Sequence, residues 1–125
     1  MRDFAIQLTH KPGEVSRIAH ALARKSVNLK SVAALTVHNQ GVMRFIADDV
    51  DAARSALREN NIPFDESEIV TVLLENQAGE LEGVAAKLAN AGVNLLALYV
   101  VGLDGDLVEL ALAVDDPKKA KKAVE

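Results

Sequence analysis

His10-Lys11-Pro12-Gly13-Glu14-Val15, continued by Ile18-Ala19, Leu22-Ala23 and Val27-Asn28-Leu29, returns 66 positions later. The second copy reads Asn76-Gln77-Ala78-Gly79-Glu80-Leu81, then Val84-Ala85, Leu88-Ala89 and Val93-Asn94-Leu95. Gly, Glu, Ala, Leu, Ala, Val, Asn and Leu all recur in register. Polar Glu and Asn return together with the apolar positions, so the repeat marks one small module used twice.

Working outward, each copy has the same order of elements. Phe4, Ile6 and Leu8 alternate with Ala5, Gln7 and Thr9, the period of a half-buried strand. Pro12-Gly13 breaks that strand, and Val15, Ile18, Ala19, Leu22 and Ala23 then follow at helical spacing opposite Arg17, Arg24 and Lys25. Leu29 to Val37 and Val42 to Ala47 read as strands joined by turn residues Asn39-Gln40-Gly41. Asp49 or Asp51 can cap a helix running to about Asn60, and a short strand is expected near Phe64.

In the second copy Ile69 to Leu74 is a strand, and Leu81, Val84, Ala85 and Leu88 form the helix stripe. Leu95 to Val101 and Leu107 to Val114 are strands about an Asp104-Gly105 turn, and Asp116-Pro117 starts a helix. No last strand is visible in this copy. An edge beside Val70 and Val72 is therefore expected to need a partner, through dimerisation, strand exchange or further residues. Ile62 to Leu74, short and almost free of Pro and Gly, should run from one module straight into the next and tie the two sheets together, as one bent strand shared between them would do. The pattern predicts an α+β chain of two ferredoxin-like βαββαβ units, residues 1–66 and 67–125, each an antiparallel sheet with helices on one face.

Composition narrows the function classes. Hydrophobic residues make up 50 % of the 125 but aromatics only 3 %, so the core is aliphatic. Modules of about 60 residues lie near the lower limit of independent stability and are expected to lean on each other or on a second chain. Neither a long apolar run nor a charged-then-apolar leader is seen, which points to a cytoplasmic protein without membrane contact. Zero cysteines exclude disulfides, thiolate zinc sites and a cysteine nucleophile. Residues 1–64 carry nine Lys/Arg against six Asp/Glu, and residues 65–125 five Lys against twelve Asp/Glu. No basic stripe suits nucleic acid, and the strands lack the stacking aromatics of ferredoxin-like RNA binders. His10, His20 and His38 have no metal-ligand spacing, Asp48-Asp49 and Asp115-Asp116 read as helix starts, and no serine sits in a nucleophile elbow. No catalytic residue, metal or cofactor is expected.

Taken together, both copies resemble ACT domains, the small amino-acid-binding regulatory modules of amino-acid metabolism. The resemblance rests on a strand, an Asp-Arg-Pro-Gly-like turn, a helix of Leu-x-x-Val/Ile-x-x-x-Leu type and a Gly-Val-Asn-Ile-like entry to the next strand. Here these are His10-Lys11-Pro12-Gly13 to Val27-Asn28-Leu29, and Asn76-Gln77-Ala78-Gly79 to Gly92-Val93-Asn94-Leu95. His10 in place of an acidic or amide residue, and Ala78 in place of proline, depart from the pattern. The chain is also similar to stand-alone proteins of two ACT domains without a catalytic domain. The resemblance implies a non-catalytic regulator, an amino acid bound at a domain or subunit interface, a homodimer, and an enzyme or regulator of amino-acid metabolism as partner.

The residues support such a site on their own terms. Gly13 and Gly79 lie where a strand reverses into a helix, so backbone amides there can meet a carboxylate. Asn28 and Asn94 offer both a donor and an acceptor at the far ends of the same helices. The two ends are a helix length apart and can share a ligand only across an interface between repeats or chains. The candidate ligand-binding residues are His10, Lys11, Gly13 and Asn28 with Asn76, Gln77, Gly79 and Asn94. The competing reading is a structural pairing module that takes no ligand.

Overall fold

The computed structural model describes Met1–Glu125, and the chain divides into two compact units, Arg2–Ser67 and Glu68–Glu125 with Met1. Each is a ferredoxin-like α+β arrangement, and the two follow in tandem. The first runs β1 (Arg2–Leu8), α1 (Glu14–Arg24), β2 (Leu29–Val37), β3 (Gln40–Ala47) and α2 (Val50–Glu59). β4 (Asp65–Glu75) follows, then α3 (Glu80–Asn90), β5 (Leu95–Asp104), β6 (Leu107–Val114) and α4 (Pro117–Val124). No helix is long and apolar enough to cross a membrane.

In the first unit β3 pairs antiparallel with both β1 and β2, placing Phe45 opposite Phe4 on one side and Val32 on the other. Phe4, Ile6, Met43 and Phe45 face α1 and α2, where Ile18, Leu22, Ala53 and Leu57 close the core. Phe4 stacks on Phe45 with ring centroids 5.1 Å apart and meets Phe64 at 5.5 Å. Three aromatics thus fill what the small aliphatic side chains leave open. Arg54 bridges α2 to the start of β4, with its Nε 2.6 Å from Glu66 and its Nη1 2.8 Å from Asp51. Glu66 also accepts from Arg2 at 3.1 Å; these bonds, Arg54's foremost, hold its carboxyl below the usual range.

The second unit repeats this plan with β6 between β4 and β5, and Leu110 opposite both Val72 and Val100. Val70, Val72, Val84, Leu88, Leu110 and Leu112 form its core, without an aromatic. Asp49 and Asp116 cap α2 and α4, accepting from the amides of Ala52 at 3.0 Å and Lys119 at 3.1 Å. The residues before them act as latches. Asp48 accepts from the Asn28 amide at 3.0 Å and returns a bond to the Asn28 carbonyl; Asp115 and Asn94 do the same.

The strands expected near Phe64 and at Ile69 to Leu74 are one element, β4, in keeping with the expected single strand through this stretch. Two features differ from the sequence reading. The hairpin turns lie one residue from expectation, at His38-Asn39 and Gly105-Asp106, with Val37 pairing Gln40 and Asp104 pairing Leu107. His38 and Asn39 take φ of 51° and 64°, the positive values that a two-residue hairpin turn requires. The buried stripe of α1 is Glu14, Ile18, Ala21 and Leu22, not the Val15, Ala19 and Ala23 row, and in α3 only Val84 and Leu88 are buried. Leu81 is 51 % exposed. With alanine on several faces, the 3.6-residue period does not by itself choose between adjacent rows.

The C-termini of α1 and α3 show how unequal the copies are in local strain. Ser26 holds φ of 56° where its counterpart Gly92 holds 72°. A left-handed residue with a Cβ costs about 1–2 kcal/mol. Ser26→Gly is expected to raise unfolding free energy by about 1 kcal/mol, read as a shift of the urea midpoint at unchanged slope.

Candidate functional site

The reversal from β1 into α1 takes five residues, Thr9–Gly13. Gly13 makes the last bend, with φ of 92° and no heavy atom within 4 Å of where a Cβ would stand. Its constraint is therefore the backbone angle alone. Gly79 repeats it at 90°. No side chain caps α1 or α3, and in α3 the Glu80 amide donates to the Gln77 carbonyl at 3.4 Å.

Two hollows flank this loop in the first unit. One, of about 570 Å³, lies between Thr9–Ser16 and the hairpin residues Thr36 and Gly41. The other, of about 710 Å³, also touches Thr9 and His10 and is lined by Leu35, Val37 and His38–Val42. His10, Lys11 and Gly13 are thus brought together, and His10 lines both hollows. Asn28 is not among them. The 11 residues of α1 span roughly 16 Å, and Asn28 lies beyond their far end with its backbone held by Asp48. In the second unit Asn76, Gln77 and Gly79 form the equivalent loop, with the Asn76 amide bonded to the Asp106 carbonyl at 2.7 Å. Asn94 again sits beyond the helix's far end, latched to Asp115.

The residue that sequence reasoning missed is Glu14. It is only 6 % exposed, on the core side of α1. Its carboxylate accepts from the Thr9 amide at 3.1 Å and from Arg17 Nε at 3.0 Å. A hydrogen bond from the Thr9 side chain first, then those from Arg17 and the Thr9 amide, lower its pKa from 4.5 to about 2. Glu14 therefore stays ionised and ties the start of the loop to the helix it enters, with its charge answered by Arg17. The signal was present in the sequence, since Glu follows Gly in both copies. Its partner was not legible, because Arg17 reads as an exposed helix residue.

The second loop is not built this way. Arg17 is replaced by Gly83 and Thr9 by Glu75, and Glu80 is only half-buried. Glu80 and Glu82 both occupy the first turn of α3, whereas α1 has only the neutralised Glu14 there. By unit, Arg2–Ser67 holds nine Lys/Arg against eight Asp/Glu, and Glu68–Glu125 five Lys against ten. Exposed Lys11 and the uncapped amides of α1 make the first loop the more favourable place for an anion.

No family model matches the sequence, and no curated protein does. Solved structures match the fold over nearly the whole chain. Protein BT0572 from Bacteroides thetaiotaomicron superposes with a TM-score of 0.84 at 22 % identity, covering 98 % of this chain and 84 % of that one. The ligand-free regulatory subunit of aspartate kinase from Thermus thermophilus gives 0.63 at 17 % identity, over 98 % and 89 % of the two chains. The regulatory subunit from Thermus flavus gives 0.68 at 16 %, over 98 % and 88 %. At these identities the likeness is one of fold alone.

Glu14→Gln tests the lock. A carboxyl with a lowered pKa contributes stability that is present above its unfolded value of 4.5 and lost as pH falls toward about 2. The variant should be less stable than the parent at neutral pH. The gap should close between about pH 4.5 and pH 2, as followed by urea titration across that range.

Proposed function

We propose that this protein is a non-catalytic regulatory module that senses a small amino acid, with the ligand's carboxylate received by the loop of the first unit. The observation that carries this reading is the Gly13 turn. The first turn of α1, which has no side-chain cap, and Lys11 both line a hollow of about 570 Å³, beside the Glu14 carboxylate that is ion-paired with Arg17. Such a place favours an anionic group of modest size. The fold shared with regulatory subunits of aspartate kinase supports a regulatory role.

The ligand's ammonium end needs acceptors that Lys11 does not supply. Asn28 and Asn94 are exposed and carry side-chain carbonyls. Because α1 separates Asn28 from its own loop by roughly 16 Å, an Asn from a second copy would complete the site. The module would then act as a homodimer whose assembly the amino acid biases, with its output passed to a separate enzyme or regulator of amino-acid metabolism. The loop of Asn76, Gln77 and Gly79 would be a weaker, more acidic counterpart.

A second reading has an observation of its own. The edge strands β2 and β5 expose Val32 at 52 %, Leu35 at 56 %, Leu96 at 55 % and Leu103 at 76 %. Apolar edges of this kind suit pairing between chains without any ligand.

Calorimetric titration with the twenty amino acids separates the two. Sensing predicts a saturable signal for one or a few of them, weakened about tenfold or more, or about 1.4 kcal/mol, by Lys11→Glu and also reduced in Asn28→Ala or Asn94→Ala. Silence across the panel, with a stable dimer in light scattering, would leave the pairing module as the function.

A further inference from the structure

Asn39-Gln40-Gly41 reads in the sequence as turn chemistry, yet the turn is His38-Asn39 and Gly41 lies inside β3. Its φ is not positive, so the backbone does not call for glycine there. Space does. A Cβ at Gly41 would stand 3.0 Å from Leu8 Cβ and 3.4 Å from both Leu8 Cδ1 and Thr36 Oγ1. The first distance is tighter than ordinary van der Waals contact, so a side chain at this position would force its neighbours to move.

Register explains the crowding. Gly41 pairs with Leu8 of β1 and Thr36 of β2, one row beyond Ile6, Met43 and Ala34. Residues two apart on a strand share a face, so Leu8, Gly41 and Thr36 lie on the helix side of the sheet, as Ile6 and Met43 do. All three line the hollow of about 570 Å³, together with Lys11 and the first turn of α1. They are its floor. Leu8 and Thr36 close over Gly41 and therefore lie low, and a side chain between them would lift them into the hollow. The second unit has the filled version of this row. Beyond Val72, Leu110 and Val100 stand Leu74, Val108 and Leu103, with Val108 in the place of Gly41. Leu74 and Val108 pack against the core there.

We propose that Gly41 determines what the loop of the first unit admits: an amino acid whose short side chain ends in a hydroxyl or carboxamide and meets the Thr36 hydroxyl on the floor. The proposal rests on the reading of this loop as an amino-acid site. Thr36 Oγ1 leans over Gly41 and not away from it, and a hydroxyl can both donate and accept. Thr9 and Ser16 add further hydroxyl-bearing side chains to the same hollow. Lys11 opposes a cationic side chain, and a neutral hydroxyl offers no charge to offset the desolvation of an acidic one. The floor and the first turn of α1 bound one space, which keeps the side chain short. A site that hydrogen-bonds its ligand's side chain rejects an analogue lacking that group more strongly than an apolar pocket does. By the same geometry Val108 keeps the loop of the second unit from taking this ligand.

Calorimetric titration of the full chain with serine, asparagine, alanine and lysine tests it. Serine or asparagine is expected to bind about tenfold or more tightly than alanine and lysine. Thr36→Val keeps the side-chain shape at an exposed strand position and should abolish that preference while leaving alanine unchanged. Gly41→Ala should weaken serine and asparagine about tenfold or more, with the fold checked by circular dichroism. Thr36→Val carries the test if that variant does not fold. Alanine or lysine bound as tightly as serine and asparagine would overturn the proposal. A preference that survives both substitutions would do the same, as would saturable binding of other amino acids with none for serine and asparagine. In each of those cases amino-acid sensing would stand. Silence of all twenty toward the parent chain would end both readings.

Discussion

Everything in this fold depends on reversing a strand into a helix within a few residues, and on doing it with one left-handed glycine. Gly13 and Gly79 hold φ near +90° with open space around them. What they supply is backbone direction and not packing room. That direction lays α1 and α3 back across their sheets, so that Ile18 and Leu22, or Val84 and Leu88, reach the core. It also leaves the first helical turns without side-chain caps. One constraint thus places the hydrophobic layer and creates the polar opening at its rim. The far end of each helix is then pinned by the Asn28–Asp48 and Asn94–Asp115 latches.

Most of the architecture was legible because strand and hairpin signals are local. β2 was read to the residue, and Asp49 and Asp116 announced their helices. Ile18, Leu22, Val84 and Leu88 were read as buried and are, but the stripes were read too wide, since Val15, Ala19 and Ala23 obey the same period. Only the sheet beneath decides which row turns inward, and sequence periodicity has no access to it. The site divides in the same way. His10, Lys11 and Gly13 share a hollow because they are consecutive, and adjacency is visible in sequence. The Glu14 lock needs a carboxylate folded back on Thr9 and an arginine one turn ahead, and only the coordinates show that geometry. Asn28 and Asn94 were read for their side chains, whereas the bonds described there use their backbone.

The two copies have diverged where chemistry is concerned and not where packing is. Core positions Ile18 and Val84, and Leu22 and Leu88, remain aliphatic. Arg17, by contrast, has become Gly83, and Glu80 and Glu82 put two acids in the first turn of α3 where α1 has one buried, paired Glu14. An arginine in the first copy fixes the loop and cancels a charge, and its loss in the second leaves a more negative, less braced turn. Ion pairing shows the same division. Asp3–Arg44, Glu66–Arg54 and Glu59–Lys25 all brace the first unit, whereas the lysines of the second line a groove.

These positions suggest how a ligand at the loop would be felt elsewhere. The larger hollow beside His10 is lined by Leu35 and Val37, which belong to the edge strand β2 and stand 56 % and 54 % exposed. A molecule in this hollow would therefore touch the strand a second chain would use, whereas one in the hollow over the α1 amides meets β2 at Thr36. Ligand and assembly would compete for, or jointly cover, the same two side chains, and their free energies would be coupled without a long path through the core. The sign of that coupling follows from geometry. A ligand that leaves the Leu35 and Val37 edge accessible while extending its apolar contact favours the pair of chains, and one that overlies them favours the single chain. A chain of two units of about 60 residues each has little stability to spare. Even a modest difference in edge burial is then large relative to the total, which is the condition under which a small ligand can shift an assembly equilibrium.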